Sequence, residues 1–168
     1  MKLNYIILIT LFSLTVGNVN AQNSSLEDRK FGLTASIQNE NIDFQLPIWL
    51  NQNLVIAPVT GLVYAQDVGM DLTLGMVLKN YFTEAKEAVP YVAFKSAAIF
   101  GIPDVGDTIT DFIIGVGFGG EYFFNPKFSI GIEYQGNASI SDEGSFRFGN
   151  PGNLNFNTAT QLSASIYF

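Results

Sequence analysis

Two lysines and two glutamates, Lys79, Lys95, Glu121 and Glu133, fall on the polar sides of four alternating segments of the sequence. Such groups can do acid–base work when burial or a neighbour shifts their proton affinity toward neutrality. No spacing marks out a nucleophile and its base, so the chemistry these four support is mutual neutralisation. If their faces enclose a space, the charges must pair, and the expected arrangement is a lumen ionic cluster of Lys79 and Lys95 with Glu121 and Glu133. A second acidic set, Asp104, Asp107 and Asp111, lies in "GIPDVGDTITD", and a later segment adds Asp142 and Glu143. Carboxylate oxygens suit hard cations such as calcium. Their spacing matches no calcium loop, however, and no metal site is assigned. Arg147 stands between Phe146 and Phe148, just before "GNPGNLNFN". That mixture suits either a binding surface or aromatic packing on the rim of the fold.

Several classes of chemistry are excluded. "GVGFGG" supplies G-x-G-x-x-G through Gly115, Gly117 and Gly120. That fingerprint needs a strand ending in a tight turn with a helix behind it. Here it lies inside a strand, where glycines leave room for bulky neighbours. Histidine is absent, which removes Ser-His-Asp hydrolysis and imidazole metal sites. Cysteine is absent too, which removes a disulfide framework and a lipid-modified cysteine anchor. Eight basic residues face 15 acidic ones, for a formal charge of −7, so nucleic acid is not an expected partner. No cofactor is expected, and the chain reads as non-enzymatic.

The elements that position these residues are strands. Lys2 precedes the apolar run "YIILITLFSLTV", which gives way to "VNA" at Ala21. Residues 1–21 read as a cleaved signal peptide, residues 22–29 as a periplasmic leader and residues 30–168 as one domain. The run is too short for a spanning helix, which needs about 20 residues. Eight strand-like segments follow, with no sustained helical period. The first sets Phe31, Leu33, Ala35 and Ile37 against Thr34, Ser36 and Gln38; the second sets Ile42, Phe44, Leu46 and Ile48 against Asp43, Gln45 and Trp49. The third, "NLVIAPVTGLVY", is apolar on both faces, and its Pro58, which cannot donate to a ladder, points to a bulge. The sixth has Phe118, Tyr122 and Phe124 on one side and Glu121 on the other. The seventh opposes Phe128, Ile130, Ile132 and Tyr134 to Glu133 and Gln135. Eight such segments predict a closed, all-β, antiparallel up-and-down barrel.

Connection lengths and aromatics predict its orientation. With the chain starting in the periplasm, the periplasmic turns are short and the outer loops include 101–110 and 138–157, the pattern of a membrane barrel. Trp49, Tyr81, Tyr91, Tyr122, Phe124, Phe128 and Tyr167 then gather at periplasmic strand ends, as aromatics do at membrane interfaces. They are expected to form a periplasmic aromatic girdle.

On the signal peptide, the eight alternating segments, the hairpin "FFNPKFSIGIEYQ" and the last strand "ATQLSASIYF", residues 30–168 resemble the small OmpA/OmpX-type outer-membrane β-barrel proteins of Gram-negative bacteria. The resemblance implies a transmembrane eight-stranded barrel in the cell outer membrane. It further implies contact with outer-membrane lipid and lipopolysaccharide, and an assembly signal at Leu162, Ala164, Ile166 and Phe168 read by the barrel-assembly machinery. Members include structural barrels, adhesins, pores and lipid-modifying enzymes. The expected function is a structural or surface-interaction role through extracellular loops, by a monomer. The alternatives are a narrow porin-like channel for small solutes and a soluble secreted ligand-binding barrel.

Overall fold

A computed structural model describes residues 30–38, 41–82 and 87–168. The signal peptide and the leader lie outside the described residues. Alternating two-residue periodicity becomes strands β1 (Gly32–Gln38), β2 (Asn41–Gln45), β3 (Ile48–Trp49), β4 (Leu54–Ala65), β5 (Gly69–Tyr81), β6 (Ala88–Pro103), β7 (Ile109–Asn125), β8 (Phe128–Ile140) and β9 (Leu154–Tyr167). Each strand pairs antiparallel with its sequence neighbour from β4 to β9; β9 returns to β1, and β2 closes the circle onto β4. Such closure leaves no continuous sheet edge to satisfy.

β2 and β3 are one strand interrupted at Leu46 and Pro47, opposite Pro58 of β4. Gln45 faces Val59 and Ile48 faces Ile56, so one register runs through the gap. Between them the Leu46 N–H donates to the Pro58 carbonyl at 3.0 Å. Pro47 and Pro58 have no N–H to return. Counted this way the barrel has eight strands. The bulge expected at Pro58 does not form, because Pro58 sits opposite Met76 in an unbroken β4–β5 ladder. The irregularity instead lies between Phe123 and Asn125, beside the β7–β8 turn.

The side chains are inverted relative to a water-soluble barrel. Phe118 and Ile132 are 62% and 56% exposed, whereas Glu121 and Glu133 are 2% and 4%. Apolar residues cover the outside of every strand. An exposed apolar surface of this extent fits hydrocarbon and not water, which eliminates the soluble-barrel alternative.

Strand ends define two rims. The terminal rim carries Lys30, Phe168 and the connections 50–53 and 126–127; the loop rim carries 66–68, 104–108 and 141–153. The last of these is shorter than the 138–157 loop expected from sequence, since β8 and β9 extend into it.

Candidate functional site

The terminal half of the lumen is a packed plug. Val55, Ala57 and Val59 of β4, Val77 and Tyr81 of β5, Val89, Tyr91 and Ala93 of β6, Phe123 and Tyr167 form one buried cluster, with Trp49 against it. The ring of Trp49 stacks on Tyr81 at 5.1 Å and meets Tyr167 edge-on at 6.0 Å; Tyr81 meets Tyr91 at 5.2 Å. This corrects the expected girdle. Trp49, Tyr81, Tyr91 and Tyr167 point into the barrel, because each shares its two-residue parity with a polar-face residue such as Lys79, Lys95 or Ser165. Tyr122, Phe124 and Phe128 do lie outside, with ring centroids 5.0 Å and 5.5 Å apart along the row. Leu162, Ala164, Ile166 and Phe168 also face outward, and Phe168 lies 5.7 Å from Phe31.

The expected lysine–glutamate pairs do not form among the described residues. Glu121, fully enclosed, is held by hydroxyls: Tyr81 donates to it at 2.5 Å, Tyr167 at 2.6 Å, and Ser129 also donates. These bonds tie β5, β8 and β9 to β7 across the lumen. Charged acceptors make the stronger hydrogen bonds, and three hydroxyls replace the cation that sequence reasoning assigned. Lys79 places its ammonium 4.7 Å from the centroid of the Tyr91 ring, a cation–π contact. Lys95 pairs with Asp43 at 3.5 Å and donates to Gln38 at 3.3 Å. Gln38 donates to Gln135, and Gln135 donates to Glu133 at 2.6 Å and to Gln161 at 2.8 Å. Lys95 and Glu133 are therefore linked only through glutamine amides. Reach explains the difference: in a lumen this narrow the nearest donors are hydroxyls and amides, some on adjoining strands and some across the barrel.

The β7 glycines fit around this network. A Cβ on Gly117 would lie 2.6 Å from the Glu133 carboxylate, and one on Gly119 would lie 2.7 Å from the Tyr91 ring. Their role is to make room, as the sequence position inside a strand implied.

At the loop rim Arg147 forms a clamp that sequence reasoning missed. Its guanidinium engages the Asp71 carboxylate through both terminal nitrogens, at 2.8 Å and 2.7 Å, and its Nε donates to Asp111 at 3.0 Å. Asp111, fully buried, also accepts from the Ser145 hydroxyl at 2.8 Å and the Asp142 amide at 2.9 Å. The 141–153 connection is thus fastened to both β5 and β7. The paired Asp71 keeps Arg147 protonated above its ordinary range, against the effect of burial. Asp71 on a polar face and a lone Arg in a long loop were the available signals. Neither fixes the other without the closed barrel. Beside the clamp, Phe146 remains 80% exposed.

No protein-family model matches the sequence, and neither does any curated protein. Solved structures do. The N-terminal β-barrel domain of Pseudomonas aeruginosa OprF aligns at a TM-score of 0.57 with 12% identity, covering 82% of this chain and 95% of that one. Neisserial surface protein A (NspA) aligns at 0.56 with 14% identity, covering 82% and 93%. The chain has the transmembrane eight-stranded β-barrel fold of the outer membrane. Its lipid-facing band and enclosed charges are what that fold requires of any sequence at such low identity.

Proposed function

We propose that the chain is a non-enzymatic integral outer-membrane barrel whose role is structural or surface-interacting, exercised through the loop rim facing the cell exterior. The clamp by Arg147 carries the reading. It holds the longest connection in one shape and leaves Phe146 displayed next to the acids Asp142 and Glu143, an arrangement suited to contact with an external surface. The barrel stands in outer-membrane lipid and lipopolysaccharide as a monomer, and the outward row Leu162, Ala164, Ile166 and Phe168 serves the barrel-assembly machinery. Against the porin-like alternative stands the aromatic and valine plug packed in the terminal half of the lumen.

Single cysteines at Glu143 and at Lys127 test the orientation in intact cells. A membrane-impermeant maleimide should label the first and spare the second; the reverse pattern would overturn the assignment of rims. In planar bilayers the purified barrel should give no reproducible conductance steps. Steps abolished by changing Lys79 or Glu121 would establish the channel instead.

A further inference from the structure

Glycines on β7 and β8 serve two different purposes. On the lumen side a Cβ at Gly117, Gly119 or Gly131 would collide with Glu133, Tyr91 or Ser163. Gly120 and Gly136 have the outward parity, and a Cβ built on either meets nothing within 4 Å among the described residues. Neither marks a bulge. Gly120 stays in register with Pro90 and Ile132, and Gly136 with Val116 and Thr158. A strand glycine that avoids no clash and makes no bulge leaves room for something outside the chain.

Each of the two is the floor of an apolar groove on the outer wall. The groove at Gly136 has a volume of about 590 Å³ and is bounded by Ile114, Val116, Ala138, Phe156 and Thr158. The one at Gly120 has a volume of about 420 Å³ and is bounded by Pro90, Tyr122, Ile130, Ile132 and Leu162. Phe118 and Tyr134, paired across β7 and β8 and exposed, stand as a ridge between them. The outward row of β7 runs from Phe112 to Phe124. Its twelve residue steps, at about 3.3 Å each and a tilt of about 40°, cover about 30 Å of depth, the thickness of the hydrocarbon core. Phe118 is the middle of that row, and Tyr134 is the middle of the matching β8 row from Phe128 to Ile140. One groove therefore lies in each leaflet.

Inside hydrocarbon there is no hydrophobic drive, and association depends on contact. A groove touches an extended chain on several sides where a smooth wall touches it on one, and every gap left unfilled forfeits dispersion. A second barrel brings a convex wall, which rests on the Phe118–Tyr134 ridge and leaves both floors empty. Among the described residues neither groove is lined by lysine or arginine, so a headgroup phosphate is not what is held. We propose that the two grooves are acyl-chain sites, each seating one chain of a membrane lipid, one from each leaflet. The proposal rests on the reading of the chain as an integral membrane barrel.

Native mass spectrometry of the barrel released from dimyristoylphosphatidylcholine nanodiscs counts the lipids that stay bound. The unaltered chain should keep two lipids under activation that leaves the double variant Gly120→Leu, Gly136→Leu bare, and each single variant should keep one. Alanine at the same sites fills less of the groove and should give an intermediate loss. Unchanged hydrogen-exchange protection of the Glu133 amide verifies that each variant has folded. Dimyristoylphosphatidylglycerol should be retained equally, since only the chain is recognised. An unaltered chain without lipid, or equal retention by the folded leucine variants, would overturn the proposal. So would a preference for the anionic headgroup, or a dimer mass that the leucine variants abolish. Recovery of the chain from cells without detergent would instead overturn the membrane reading, and the grooves with it.

Discussion

Arg147→Ala should release the 141–153 connection while leaving the barrel intact. Asp111 is wholly enclosed, whereas the side chains of Arg147 and Asp71 are 24% and 33% exposed. Stripping a buried carboxylate of its cation costs about 3–5 kcal/mol. Asp111 keeps the Asp142 amide and the Ser145 hydroxyl, which places the loss at the lower end of that range. The Asp71 arm is partly solvated and adds at most about 1 kcal/mol. Together these give about 3–4 kcal/mol against loop opening. At about 1.4 kcal/mol per tenfold change in an equilibrium, the amides of Asp142 and Ser145 should lose about two to three orders of magnitude of hydrogen-exchange protection. Both are hydrogen-bonded within the clamp, Asp142 to Asp111 at 2.9 Å and Ser145 to the Asp142 carbonyl at 3.0 Å. Asp71→Asn, which breaks only the solvated arm, should cost less than tenfold. Protection in the Arg147→Ala barrel within tenfold of the unaltered chain would refute the clamp. An equal loss at Glu133, deep in the lumen, would refute the claim that the loop opens independently of the barrel.

Two further outcomes follow from the lumen and the last strand. Glu121→Ala leaves the hydroxyls of Tyr81, Tyr167 and Ser129 without their acceptor, at about 1–3 kcal/mol for each buried unsatisfied group, partly offset by removing an enclosed charge. Its urea unfolding midpoint should fall clearly below that of Glu121→Gln, which keeps a carbonyl acceptor; equal midpoints would mean the hydroxyl cluster contributes nothing. Phe168→Ala should lower the amount of barrel assembled in cells while a refolded sample unfolds close to the unaltered chain, because the ring faces outward beside Phe31 and is 61% exposed. Equal assembly of the two in cells would remove the terminal residue from any recognition signal.

What could be read in advance depended on the range of each interaction. The two-residue alternation is local, so the faces of β7, β8 and β9 followed from their letters alone, as did the inversion that puts Phe118 outside and Glu133 inside. Parity was equally available for Trp49, Tyr81, Tyr91 and Tyr167. Distance from the rim alone groups these four with the girdle, whereas parity turns them inward, where they form the plug. The prolines show a different limit: Pro58 signalled a disturbance, but its effect fell across the ladder on β2 and β3, where Pro47 removes a second donor. Cross-lumen partners are farther out of reach, because they depend on which strands stand opposite one another once the sheet has closed. Opposite charge favours Lys79 or Lys95 beside Glu121, yet within an enclosed lumen a carboxylate takes whichever donors lie closest. Three hydroxyls at Glu121 and a glutamine relay at Glu133 met that need. The bidentate contact of Arg147 with Asp71 formed at the mouth, where solvent lowers the desolvation cost, whereas the enclosed Lys95–Asp43 pair is longer, at 3.5 Å.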